Sequence, residues 1–259
     1  LENFLTFHNL SLVDFYGKSK DRSFSRMCVL AKQKDEFYDE NEDEITKKLY
    51  NLFFINSRRF IKFMINLIKN YNDISNANFS NEEKLMLNMM YYIFYSDVPK
   101  KLNLKSINEG INRLLKNKTM MEEVCSILEY NYDNIDFIDK KVDLGYDCPL
   151  DLHCDYSRDL IMAAFGYFNE ENKPSFREGA KYFEDKNTDI FFVTLNKSDK
   201  DFSPSTLYED YAINEKLFHW QTQSKTSVQS ATGQRYMNQL KNKNKIAIFV
   251  REYKEKQGL

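Results

Sequence analysis

Residues 195–223, LNKSDKDFSPSTLYEDYAINEKLFHWQTQ, carry the side chains of this chain best suited to binding chemistry. They include its only tryptophan, several other aromatic rings, a carboxylate and two amides. Flat aromatic faces stack on nucleobases, and carboxylates and amides form hydrogen bonds with base edges. These residue types predict a base-binding pocket formed by Tyr208, Asp210, Tyr211, Phe218, Trp220, Gln221 and Gln223.

Core packing is a second interpretation of part of this set. Phe218 and Trp220 alternate on a predicted strand, so both side chains point to one face, and one face of a strand usually packs into the core. Tyr208 and Tyr211 stand among Ser, Glu and Asp residues, which is less typical of a core. The sequence leaves open which of these rings would stack on a base.

The end of the chain is strongly basic. From Leu217 onward, eight Lys or Arg residues stand against two Glu residues, a net charge of +6 in a chain whose total is −2. Such asymmetry is typical of a surface that faces phosphates, although a merely solvated basic tail would look the same. The residues predicted to bind phosphate are Lys225, Arg235, Lys241, Lys243 and Lys245.

Catalytic and metal-binding patterns are weak. Cys148, His153 and Cys154 match no zinc signature, and no fourth ligand is evident. The strand that begins near Asp189 and ends at Lys197 lacks the acidic-x-Lys pattern of a metal-dependent nuclease. We therefore expect no catalytic residue, metal ion or cofactor in this chain.

The periodicity of apolar residues divides the chain into two parts. Residues 1–145 are helical in pattern, with an almost continuous period of 3.6 residues over 44–70 and a capping box at Ser80 and Glu83. After a short helix over 156–167, which Ser157 would cap, the period changes to two over 176–183, 189–196, 216–221 and 245–253. This order predicts an α+β protein with a helical subdomain at 1–147 and a small β-domain at 148–259.

Several stretches of sequence resemble the DUF3427 domain. They are LENFLTFH at 1–8, PLDLH at 149–153, YSRD at 156–159, FSPSTLY at 202–208, LFHWQTQ at 217–223, TGQRY at 232–236 and FVRE at 249–252. Domains of this family typically end large bacterial proteins in which a phospholipase-D-like nuclease and a superfamily 2 helicase precede them. Some of those proteins are ATP-dependent restriction enzymes that cut DNA containing modified cytosine.

The resemblance implies that this chain is the target recognition region of such a type IV restriction enzyme. It also implies a β-barrel of the SRA/PUA type and double-stranded DNA with modified cytosine as the partner. In that setting we expect recognition of 5-methylcytosine by base flipping, with Asp210 accepting a hydrogen bond from the N4 amine and Gln221 or Gln223 completing the edge. The helicase and the nuclease would lie upstream of Leu1.

Two alternatives remain at this stage. The chain could be a regulatory domain that docks on the helicase without reading a base, or a nuclease in its own right. Four scattered cysteines, no signal peptide and no long apolar run predict reduced thiols, a cytoplasmic location and no membrane contact.

Overall fold

The computed structural model describes residue 5 and residues 7–18, 22–197, 210–214, 217–222 and 226–253. Three residues predicted for the pocket or the phosphate surface, Tyr208, Gln223 and Lys225, lie outside this set. The chain divides into two compact units, Leu1–Pro174 and Ser175–Leu259.

The first unit is mainly helical. Its α-helices are α1 (Leu12–Lys18), α2 (Phe24–Leu30), α3 (Glu42–Leu52), α4 (Arg58–Asn70), α5 (Asn81–Phe94), α6 (Ile107–Leu115), α7 (Lys118–Asp133) and α8 (Arg158–Ala164). A 3₁₀ turn spans Pro99–Leu102, and the short strands β1 (Lys140–Lys141) and β2 (Asp151–Leu152) pair antiparallel. No helix within the described residues is both long and apolar enough to cross a membrane.

Helix α5 forms the centre of this unit. The predicted capping box is confirmed, because the Ser80 hydroxyl accepts a hydrogen bond from Glu83 N while the Glu83 carboxylate accepts one from Ser80 N. Along the helix, Met89, Met90 and Tyr91 are fully buried. Helices α3, α4, α6 and α8 pack around it, which explains why α5 is apolar on almost every side.

The helical period over 44–70 belongs to two helices rather than one. Helix α3 ends at Leu52, and α4 begins after Ser57, whose hydroxyl accepts a hydrogen bond from Phe60 N. The Asn131 side chain of α7 donates to the Leu52 carbonyl at 2.7 Å and to the Ile55 carbonyl at 3.1 Å. The break is therefore stabilised by a residue distant in sequence, which the local pattern does not show.

The compact units divide later than the predicted boundary between residues 147 and 148. Ser157 caps α8, as predicted, and α8 packs against α5. The Asn88 amide of α5 donates to the Ala163 carbonyl at 2.9 Å and to the Phe168 carbonyl at 2.5 Å. These contacts place the segment after residue 148 with the helical unit as far as Pro174.

The described part of the second unit contains short strands and one α-helix. They are β3 (Ala180–Phe183), β4 (Thr188–Thr194), β5 (Tyr211–Ala212), β6 (Phe218–His219), α9 (Ala231–Met237) and β7 (Lys245–Arg251). Strand β4 lies in the middle of a three-stranded sheet, antiparallel to β3 and parallel to β7. Strands β5 and β6 form a separate antiparallel pair.

The α+β class is confirmed, and each segment predicted as a strand overlaps one of these strands. The SRA/PUA-like barrel remains a prediction. Neither sheet of the described part of the second unit closes into a barrel, since β3–β4–β7 and β5–β6 remain separate. These strands therefore establish the α+β class and no finer type of fold.

Asn131→Ala should destabilise the first unit by about 1–3 kcal/mol, because it removes the buried amide that donates to the Leu52 and Ile55 carbonyl groups. The free energy of unfolding can be measured in urea by circular dichroism. Asn134→Ala is a matched control near the same helix end, where an exposed amide bonds to the Tyr130 carbonyl and the change should stay within about 0.5 kcal/mol. Equal effects of the two substitutions would contradict this account of the helix break.

Candidate functional site

The hairpin of β5 and β6 brings together the described members of the predicted pocket. Tyr211 pairs with His219 and Ala212 with Phe218 across the two strands. Next to this ladder, the Asp210 carboxylate accepts a hydrogen bond from the backbone N of Gln221 at 3.0 Å. The hairpin thus gathers Asp210, Tyr211, Phe218, Trp220 and Gln221 within one short element.

The Asp210 carboxylate already has a cationic partner. Lys197 Nζ lies 2.7 Å from Asp210 Oδ2, and the two side chains are only 8% and 3% exposed. Lys197 follows β4, so this pair joins the end of that strand to the start of the hairpin. The predicted hydrogen-bond acceptor is therefore a buried, ion-paired carboxylate rather than one facing open solvent.

The role of Lys197 is not recognised from the sequence. The local sequence LNKSDK shows a lysine after an apolar strand, and its nearest acidic neighbours Asp199 and Asp201 suggest a solvated turn. A useful signal would have been the rule that lysines close to the core need a charged partner. Even that rule would not have selected Asp210 from the surrounding carboxylates.

Trp220 packs on the central strand. Its ring stacks on Phe191 of β4 with centroids 3.9 Å apart and planes 9° from parallel, and Tyr236 of α9 meets it edge-on at 5.4 Å. Phe191 is buried, whereas Trp220 is partly buried. One face of the tryptophan thus belongs to the packing of the unit, in agreement with the core interpretation for that face.

Tyr211 is the most exposed of the predicted rings that the structure describes. It is 49% exposed and stacks on its cross-strand partner His219, with centroids 4.8 Å apart and planes 16° from parallel. Phe218, by comparison, is partly buried. Of these rings, Tyr211 is therefore the most accessible to a ligand without rearrangement of the hairpin.

Arg235, which was predicted to bind phosphate, forms an internal ion pair. Its Nε and Nη2 atoms donate to the Asp189 carboxylate at 2.8 and 2.9 Å, and the guanidinium lies 3.8 Å from the centroid of the Tyr182 ring. The hydrogen bonds that Arg235 donates to the Asp189 carboxylate raise the pKa of Arg235 above its ordinary value. Asp189 is 1% exposed and also accepts from Asn244 Nδ2 at 2.8 Å. A phosphate would have to compete with this pairing.

The predicted lysines of this segment have a different environment. Lys241 and Lys243 are exposed in the turn between α9 and β7, and Lys245 is partly buried at the start of β7. Gly233 of this segment lies close to the chain itself, because a Cβ atom there would lie 2.1 Å from the Ser227 carbonyl oxygen. The accessible positive charge of the described part of this segment therefore includes Lys241 and Lys243.

A separate acidic cluster lies in the first unit. Ligand atoms of Asp139, Asp151 and Cys154 are within 4.8 Å of one another. Both carboxylates are ion-paired, Asp139 with Arg58 and Asp151 with Arg59, each at 2.8 Å. Burial raises the pKa of the Cys154 thiol to about 12, which disfavours the thiolate that metals bind. The contacts of this cluster are those of structural ion pairs.

Arg235→Ala should lower the free energy of unfolding by about 3–5 kcal/mol, since it leaves the buried Asp189 carboxylate without its cation. Trp220, the single tryptophan, packs in the same unit, so its fluorescence in urea reports the transition. Lys241→Ala is the control, with an expected change within about 0.5 kcal/mol. If Arg235→Ala left unfolding unchanged, Arg235 would regain its predicted role as a phosphate ligand.

Comparisons with known proteins give a family match for part of the chain. No curated protein matches the chain. Residues 150–258, less than half of the chain, match the family model named Domain of unknown function (DUF3427). The matched range contains the whole second unit up to Gly258, and with it the hairpin that holds the candidate site.

Proposed function

We propose that residues 148–259 are a DNA-binding target recognition domain that reads 5-methylcytosine for a modification-dependent restriction endonuclease. The observation that carries the proposal is the β5–β6 hairpin, which joins a carboxylate, an amide residue and an accessible aromatic ring in one element. Such groups are needed to stack on a base and to bind its hydrogen-bonding edge. The match to DUF3427 agrees with the family resemblance of the sequence motifs.

Base flipping suits this target better than reading from the groove. In the major groove the extra methyl group offers little area, worth about 0.8 kcal/mol for one buried CH₂-sized group. A flipped base can be contacted on its face and along its edge, so discrimination can be larger. Tyr211 supplies an accessible face, and Asp210 supplies an acceptor for the N4 amine.

The wider setting belongs to the same proposal. The sheet β3–β4–β7 and the β5–β6 hairpin would contribute strands to a barrel of the SRA/PUA type. DNA cleavage would be carried out in the cytoplasm by nuclease and helicase domains upstream in the same polypeptide. This chain alone would then bind DNA without cutting it, and it would need no cofactor.

A regulatory docking domain is the second candidate. Met237, Leu240 and Ile248 are exposed apolar side chains on α9, in the following turn and on β7. Exposed apolar groups of this kind are typical of protein interfaces. A titration of the chain with matched methylated and unmethylated duplexes separates the candidates, because a docking domain would show equal affinity for both.

Tyr211→Ala should weaken the preference for methylated over unmethylated duplex, because a stacked ring contributes about 1–3 kcal/mol per base. Fluorescence anisotropy with the two labelled duplexes gives the ratio of affinities. Tyr38→Ala makes the same change at an exposed tyrosine of the first unit and should leave that ratio unchanged. A ratio that survives in folded Tyr211→Ala protein would remove this ring from the site.

Lys241→Gln combined with Lys243→Gln should weaken binding of both duplexes equally, because phosphate contacts carry no sequence information. The slope of log affinity against log salt should flatten by about 2, close to one unit per lost phosphate contact. Lys47→Gln combined with Lys100→Gln changes the net charge equally at exposed positions of the first unit and serves as the control. A loss confined to methylated DNA would place these lysines in the base site instead.

A further inference from the structure

The buried pair of Lys197 and Asp210 places a hydrogen-bond donor beside an acceptor. The ammonium carries three N–H groups, so it can keep its 2.7 Å bond to Asp210 Oδ2 while donating elsewhere. The carboxylate offers about four lone-pair positions, and the described contacts to Lys197 and to Gln221 N use two of them. The two side chains therefore place a hydrogen-bond donor and an acceptor side by side.

We infer that Lys197 is a specificity-determining residue that reads the base together with Asp210. This inference rests on the proposed function. Asp210 accepts a hydrogen bond from the N4 amine of the flipped base, and Lys197 donates one to the neighbouring ring atom N3. The pair therefore selects a cytosine edge, whether or not the ring carries a methyl group.

Thymine presents the opposite arrangement of hydrogen-bond donor and acceptor at these two positions. Its edge presents the O4 acceptor where cytosine has an amine, and an N3–H donor where cytosine has an acceptor. Beside Lys197 and Asp210, O4 would face the carboxylate and N3–H would face the ammonium, so both contacts become unfavourable. Thymine also carries a methyl group at C5, so the edge is the feature that separates it from 5-methylcytosine.

The burial of the pair supports a recognition role. Two charges removed from water contribute little net stability compared with apolar side chains of similar size. In a site of low dielectric, however, hydrogen bonds to charged groups become stronger and more selective. Because the side chains are only 8% and 3% exposed, a base reaches them only when neighbouring groups move.

The test uses the whole chain and three duplexes that differ at one position: 5-methylcytosine opposite guanine, cytosine opposite guanine, and thymine opposite guanine. Lys197→Met should reduce the ratio of affinities for 5-methylcytosine over thymine by about tenfold, the size expected for one lost base contact. Lys197→Arg keeps a cationic donor and should keep most of that ratio. The energy needed to flip each base belongs to the DNA and cancels when variant and wild type are compared.

Two further variants control for charge and for folding. Lys241→Met makes the same change at an exposed lysine, so it should weaken all three duplexes and keep the ratio. Lys197→Met combined with Asp210→Leu removes both charges, which keeps a buried carboxylate from being stranded if the single variant does not fold. Trp220 fluorescence, which depends on its stacking against Phe191, reports whether the hairpin remains in place.

The outcomes separate this inference from the proposed function. Folded Lys197→Met protein, or the folded double variant, with the wild-type ratio for 5-methylcytosine over thymine would falsify the inference and leave the proposed function standing. A wild-type chain that binds the 5-methylcytosine, cytosine and thymine duplexes equally would overturn both. A selective loss of the 5-methylcytosine to thymine ratio in Lys197→Met, with rescue by Lys197→Arg, would establish the role.

Discussion

The second unit depends on the buried carboxylate of Asp189. It lies in the central strand β4, and it accepts hydrogen bonds from Arg235 of α9 and from Asn244, just before β7. A buried carboxylate without a cation is strongly destabilising, so these three segments must meet for the unit to fold. Tyr182 of β3 covers the guanidinium and brings a fourth segment to the same point. These hydrogen bonds hold the last part of the long connection between β4 and β7 against β4.

The hydrogen bonds to Asp189 also position the candidate site. Tyr236 follows Arg235 in α9, and its ring meets both Phe191 and Trp220 edge-on. Trp220, next to β6, therefore packs between the central strand and α9, and the pair of Lys197 and Asp210 fixes the same open end of the hairpin. Side-chain contacts, rather than strand pairing with the larger sheet, hold the hairpin among the described residues of this unit. A change in Asp189 would thus reach the hairpin of the candidate site through the packing of aromatic rings.

What the sequence predicted well is local. The capping box at Ser80 and the cap at Ser157 depend on residues within three positions, and the strand segments depend on a period of two. The break near Ser57 was missed because Asn131 stabilises it from another helix. The partners of Arg235 and Lys197 were missed for a related reason: a sequence displays charges but not which opposite charge each one meets in the folded chain. Arg235 was therefore predicted to bind phosphate, although its guanidinium pairs with a buried carboxylate.

Because Arg235 is paired with the buried Asp189, the energy of DNA binding would be divided differently among the segments of this unit. The exposed Lys241 and Lys243 stand in the turn before β7, whereas Tyr211 and Asp210 belong to the hairpin that precedes α9. Phosphate affinity and base discrimination would then arise from different segments of this unit. An enzyme that must search long stretches of unmodified DNA would benefit from this division. Salt-sensitive phosphate contacts would hold it on any sequence, and the separate, mostly buried pair would determine the site at which it stays bound. Under the proposed function, the buried position of Lys197 and Asp210 would make that decision conditional on a base leaving the duplex, because a stacked base cannot reach them.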